Sequence, residues 1–169
     1  VDLDTFNTRI LTSFDFEYWS DISAGQSATG LIRIYSNDGG EYAASKMPGR
    51  LLYQSKPINI ANGQNTVLID DILLVVPDTI TWTFGVTTSD DLNAGVIFSG
   101  SPSPGKSFDD FWLKTSGGWE LNRGHGLAGT SSKNNFSAKV YAYDTASPSI
   151  VYTSNPGFEG SDSVTYKVL

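Results

Sequence analysis

The 169-residue chain balances 11 Lys+Arg against 18 Asp+Glu, a formal net charge of −7, and has no cysteine. Its length suits one domain, and 39% hydrophobic residues suffice for a sizeable core. The acidic balance argues against nucleic acid and anionic membrane surfaces as partners, since both need a basic patch, and the missing thiols exclude disulfides and cysteine-based zinc sites.

Period-two alternation runs along most of the chain and predicts strands, because successive side chains on a strand point to opposite faces. In chain order the candidates are Phe6–Thr12, Phe14–Trp19, Thr29–Tyr35, Leu51–Gln54, Thr66–Val76, Thr79–Thr87, Gly95–Ser99, Phe111–Lys114, Trp119–Leu121, Phe136–Tyr143, Ile150–Thr153 and Ser163–Leu169. The longest apolar run, Ile72-Leu73-Leu74-Val75-Val76, reads as a buried strand and falls far short of the ~20 residues that span a bilayer. Ile80, Trp82 and Phe84 share one face, opposite three threonines; Phe136, Ala138, Val140 and Ala142 separate from Ser137, Lys139 and Tyr141. Turn sequences such as Asn37-Asp38-Gly39-Gly40, Asn62-Gly63, Pro77-Asp78, Gly117-Gly118 and Asn155-Pro156-Gly157 punctuate the strands. No window has a 3.6-residue period, though Ala43–Met47 and Lys106–Asp110 are long enough for one helical turn. The pattern predicts an all-β, antiparallel β-sandwich of jelly-roll type. Residues 1–144 form the sandwich, and residues 145–169 form a C-terminal β-hairpin packed on it or completing it. The expected core is Phe16, Ile32 or Leu31, Leu73, Val75, Ile80, Trp82, Phe84, Val96, Phe136, Val140, Val164 and Tyr166.

Catalytic chemistry is hard to assemble from these residues. The one histidine, His125, lies between glycines and reads as a solvated loop residue; no Gly-x-Ser-x-Gly elbow supplies a nucleophile. Carboxylate pairs occur at Asp70-Asp71, Asp90-Asp91 and Asp109-Asp110. Glycoside hydrolysis needs two carboxylates across one cleft, and a strand would send Asp70 and Asp71 to opposite faces. No enzyme activity is expected. Asp90, Asp91 and Asn93 share a turn and offer oxygen ligands for Ca²⁺, without EF-hand spacing; plain turn chemistry is the competing reading, and no other cofactor is indicated. Trp112 and Trp119, with Asp109 and Asp110 beside them, are candidates for stacking on a sugar ring and bonding its hydroxyls, against burial as core. Asn135-Phe136-Ser137 is an N-glycosylation sequon. Lys139 and Lys167 have the residue type of isopeptide cross-links, although strand lysines are ordinarily solvated.

The segment Pro156-Gly157-Phe158-Glu159-Gly160-Ser161-Asp162-Ser163-Val164-Thr165-Tyr166-Lys167-Val168 resembles the closing hairpin of bacterial Ig-like and cadherin-like surface repeats. Gly160, Asp162, Ser163, Tyr166 and Val168 carry the likeness, and Val164 stands where those repeats usually have Phe. Pro77-Asp78, Ile80-Thr81-Trp82-Thr83, Ala94-Gly95-Val96-Ile97, Gly105-Lys106-Ser107-Phe108-Asp109-Asp110-Phe111-Trp112 and Gly118-Trp119 together resemble secreted bacterial β-sandwich proteins. Both likenesses imply an exported, non-enzymatic bacterial protein; a chain opening at Val1 fits signal-peptide removal and equally a chain trimmed at its start.

The expectation is therefore an extracellular or cell-surface structural or adhesive β-sandwich, a filament or matrix subunit. It would self-associate, or meet neighbouring surface proteins, through strand or edge contacts, with Val164, Tyr166 and Val168 on the assembly strand. The alternative is a lectin-like carbohydrate-binding module that uses exposed aromatics, with or without Ca²⁺.

Overall fold

The computed structural model describes residues 9–88, 92–99, 111–122 and 135–144. Its all-β organisation rests on two long antiparallel strands, each the centre of its own sheet, and the sheets do not close into a barrel. The Val164, Tyr166 and Val168 strand, and the rest of the expected hairpin, lie outside the described residues.

The first sheet is built on β1 (Arg9–Ser20), which buries Leu11, Phe14, Phe16, Tyr18 and Ser20. Leu11 and Phe14 are three residues apart, so strict alternation would send them to opposite faces. A register irregularity between Leu11 and Ser13 absorbs the extra residue and returns both to the core. The two expected strands Phe6–Thr12 and Phe14–Trp19 are thus one bulged strand over their described part.

A similar break corrects the expected strand Thr66–Val76. It is two strands, β7 (Gly63–Ile69) and β8 (Leu74–Val76), paired with successive stretches of β1. Asp71 and Leu73 between them have φ of 53° and 46°, a left-handed conformation that no strand continues through. The break shifts the phase: Val76 is buried and Leu74 packs on the core, while Leu73 and Val75, expected inside, are 50% and 55% exposed. Asp70 and Asp71 are both exposed residues of this break and not alternating members of a strand.

In the second sheet β2 (Ala28–Ser36) pairs along its whole length with β9 (Ile80–Thr88). Its other side meets β5 (Leu51–Gln54) and β6 (Ile58–Asn59) in turn. Buried Ser55 bridges the gap between them: its hydroxyl accepts from the Ile32 N–H (3.0 Å) and its own N–H donates to the Ile32 carbonyl (2.9 Å). Ile32 and Ile34 face inward, and Leu31 of the expected Ile32/Leu31 choice faces out.

Between the sheets, aromatic rings interleave. Trp82 lies 5.1 Å from Phe14 and 5.8 Å from Phe16; Phe84 lies 5.1 Å from Phe16 and 5.5 Å from Tyr18. The tilted and edge-on geometries match the quadrupole preference of such pairs.

The remaining flank of β1 is shared. β10 (Ala94–Val96) covers its C-terminal end and β15 (Ala138–Asp144) the rest. β11 (Phe98–Ser99) then pairs with β14 (Asn135–Phe136). Three backbone bonds close the junction: Glu17 N–H to Ser137 carbonyl (2.9 Å), Ser137 N–H to Ile97 carbonyl (2.7 Å), and Ile97 N–H to Glu17 carbonyl (3.0 Å). The Ser137 hydroxyl also donates to Glu17 Oε2 (2.7 Å).

Ala43–Met47, a candidate helical turn, is instead the tip and second strand of a small hairpin, β3 (Glu41–Tyr42) and β4 (Ser45–Lys46). Its tip residues Ala43 and Ala44 have φ of 50° and 66°, the geometry of a type I′ turn. A residue with a Cβ loses roughly 1–2 kcal/mol in that conformation. Replacing Ala43-Ala44 by Asn-Gly should therefore raise stability by about 1 kcal/mol, read as a higher denaturant midpoint with an unchanged slope.

At the hairpin's base, Asp38 Oδ1 accepts from the Ser36 hydroxyl (2.7 Å) and the Arg50 N–H (2.8 Å). These bonds hold its carboxyl below the ordinary range, the Ser36 bond first. The folded value lies below the unfolded one, so the stabilisation is complete above roughly pH 4 and is lost as pH falls through the depressed folded value. Asp38→Asn should destabilise the protein at neutral pH. The difference from wild type should shrink towards pH 2, as measured by urea unfolding across pH.

Candidate functional site

Two surfaces combine the residue types needed for binding. The first is the hairpin of β12 (Phe111–Thr115) and β13 (Gly118–Asn122). Its turn is closed by Thr115, whose hydroxyl accepts from the Gly117 N–H (3.2 Å) and donates to Glu120 Oε1 (2.9 Å). The register pairs Trp112 with Leu121 and Lys114 with Trp119, which places these four on one face. Phe111 alternates to the other face and meets Phe136 at 5.6 Å, and Phe136 in turn meets Trp82 at 6.1 Å. The hairpin is thereby keyed to the sandwich core.

Trp112 and Trp119, the predicted ligand aromatics, are half-buried and already engaged. Lys114 Nζ stands 4.6 Å from the Trp119 ring centroid, and Tyr35, on the outer face of β2, meets Trp119 edge-on at 5.1 Å. Trp112 contacts Tyr42 of the β3–β4 hairpin at 6.4 Å. Tyr42, at 58% exposed, presents the most open ring of the cluster. This arrangement clamps two hairpins to the sheet and leaves a small aromatic ledge. Asp109 and Asp110, the expected polar flank, lie outside the described residues.

The calcium candidates are divided in the same way. Asp90 and Asp91 lie outside the described residues, whereas Asn93 is exposed and bound to Asp21: its backbone N–H donates to Asp21 Oδ1 and its side-chain amide to Oδ2, both at 2.8 Å. These bonds, the side-chain one foremost, lower the Asp21 carboxyl from its usual value. Sequence reasoning missed Asp21, because nothing local marks a partner 72 positions away. Among the described residues no group of three or more His, Asp or Glu is positioned to hold a metal ion.

The second surface is the outer face of the first sheet. Val75 pairs with Ile10, and Ile10 with Tyr143, so three apolar side chains lie side by side across β8, β1 and β15. Val75 is 55% and Tyr143 45% exposed, and Tyr141, two residues before Tyr143 on β15, shares its face and is 46% exposed. Further along, charge enters the face: Asp15 lies between Lys139 and the 61% exposed Leu68, and Asp15 Oδ2 accepts from the Tyr141 hydroxyl (3.1 Å). The apolar end was missed because the phase slip at residues 70–73 turns Leu73 and Val75 outward.

The sequon is placed differently from a glycan acceptor. Asn135 is only 3% exposed, in a strand, with its Oδ1 buried and without a hydrogen-bond partner. An oligosaccharide cannot be attached there while β14 stays paired. No helix among the described residues is long and apolar enough to cross a membrane. Compared with protein-family models, with curated proteins and with solved structures, the chain matches none.

Proposed function

We propose that this chain is an extracellular, non-enzymatic structural or adhesive β-sandwich, a surface filament or matrix subunit that associates with further copies or with neighbouring surface proteins. The observation that carries the reading is the narrowness of the sheets. Among the described residues, β7, β8 and β15 form ladders with β1 alone, and β5, β6 and β9 with β2 alone. An edge that no further strand of the chain covers accepts a strand from another chain. Head-to-tail contacts of that kind propagate into filaments when they do not close. The resemblance of residues 156–168 to bacterial surface repeats agrees with a cell-surface setting. Light scattering and negative-stain imaging over a concentration series test the proposal, and a protein that stays monomeric throughout overturns it.

The second reading, a carbohydrate-binding module, is favoured by the open ring of Tyr42 at the edge of the Trp112–Trp119 cluster, since an exposed ring face stacks on a sugar. A glycan array with and without EDTA distinguishes it and reports any calcium dependence. Binding abolished by Tyr42→Ala, with the fold intact, would favour this reading over assembly.

A further inference from the structure

We infer that the outer face of the second sheet binds an acidic oligosaccharide, with the Arg33 guanidinium gripping a uronate carboxylate beside the bare backbone of Gly85. The inference rests on the carbohydrate-binding reading and gives it a ligand class and a site apart from the Tyr42 ring.

Gly85 leads to it. It sits in the interior of β9, in the outward row Thr81, Thr83, Gly85, Thr87. Glycine weakens a strand, and inside one it serves a bulge, a bend or the close approach of another group. The register of β2 with β9 runs unbroken through the pair Leu31–Gly85, and Gly85 is not among the residues of positive φ. A bulge and a left-handed turn are thereby excluded. Packing does not demand glycine either: among the described residues, the one heavy atom within 4 Å of a Cβ built there is Arg33 Nη1, at an ordinary 3.6 Å. What remains is a gap in the threonine row that a ligand can enter.

The groups around the gap are available for binding. Arg33 donates its Nε–H to Gln54 Oε1 at 2.8 Å, which fixes the plane of the guanidinium. Carboxylates outnumber basic residues 18 to 11, yet none among the described residues forms an ion pair with Arg33. A planar guanidinium with both Nη groups unpaired matches a carboxylate bidentately. Thr83 and Thr87 flank Gly85, and their hydroxyls make no hydrogen bond among the described residues, whereas Thr81 donates to Asn37. Thr83 and Thr87 lie about 13 Å apart along the strand. A carboxylate on Arg33 and hydroxyls at both threonines therefore belong to a chain of sugar units rather than to one small anion. Leu31, opposite Gly85, offers apolar surface to sugar C–H groups.

Titration calorimetry provides the test, with hexasaccharides of galacturonate, of mannuronate and of glucuronate-containing repeats, their carboxyl-reduced counterparts, and hexaglutamate. At least one uronate hexasaccharide is expected to bind, with its carboxyl-reduced counterpart and hexaglutamate weaker by about tenfold or more. Arg33→Gln should lose as much affinity, and Arg33→Lys, which keeps the charge without the fork, should recover only part of it. Gly85→Thr completes the threonine row and should abolish binding while the melting temperature holds or rises. Tyr42→Ala should leave uronate binding unchanged. Should Gly85→Thr fail to fold, Arg33→Gln and the carboxyl-reduced sugars carry the test. The inference is overturned if no uronate binds, if the carboxyl-reduced sugars or hexaglutamate bind equally well, or if Arg33→Gln binds like wild type. A neutral glycan held through Tyr42, with no uronate binding, overturns the inference and leaves the carbohydrate reading standing; binding of no glycan at all overturns both.

Discussion

Replacing Phe16 by alanine is expected to cost about 3–5 kcal/mol, the range for removing a large ring from a packed interior. The ring is fully buried at the centre of the aromatic interleave, within 6.2 Å, centroid to centroid, of Phe14, Tyr18, Trp82 and Phe84. Phe14 and Tyr18 sit on the same strand, and Trp82 and Phe84 on the facing sheet, so backbone movement alone cannot close the hole from one side. A ring at that position also fixes the spacing of the two sheets. Trp82→Ala should be costly as well, but less so, because Trp82 is half-buried and touches the core from its margin beside Phe136. Equilibrium urea unfolding of both variants checks the order. If Trp82→Ala were the more damaging, the centre of the core would lie nearer β14 than the burial pattern places it.

This core was largely legible in the sequence, because alternation translates into burial wherever a strand runs uninterrupted. Ile80, Trp82 and Phe84 on β9 pack inward as their spacing demands, and so does Ile32. Legibility failed where the backbone changes phase. An apolar pentapeptide such as Ile72–Val76 looks buried throughout. The left-handed turns at Asp71 and Leu73 decide which of its members face water, and leucine gives no hint of such a conformation. The bulge near Thr12 hid the unity of β1 for the same reason. The candidate site was less legible than the core, because its pieces meet through long-range contacts: Trp119 with Tyr35, Trp112 with Tyr42, Asn93 with Asp21. Composition nominated Trp112 and Trp119 but could not say that neighbouring side chains already occupy them. Asn135 misled in the opposite direction, as a polar acceptor sequence that the fold buries.

The second large effect is expected at Gly30, where a methyl group alone should destabilise the protein by about 1–3 kcal/mol through overpacking. Gly30 lies on the inward face of β2, between buried Ala28 and Ile32. A Cβ built there would stand 2.7 Å from Phe84 Cε2 and 2.8 Å from Ile60 Cδ1. Both distances are below any tolerable carbon–carbon contact, so either the ring or the isoleucine terminus must move. Phe84 is held by Phe16 and Tyr18, whereas Ile60 Cδ1 ends a branched aliphatic chain and is the easier group to displace. Removing that methyl by Ile60→Val should therefore cost less in Gly30→Ala than in wild type, because in the variant it relieves one of the two clashes. A double-mutant cycle of Gly30→Ala and Ile60→Val measures this coupling directly. Strict additivity would mean that the added methyl is accommodated by movement of Phe84 or of the β2 backbone. In that case Gly30→Ala should also alter the near-ultraviolet circular dichroism of the aromatic core.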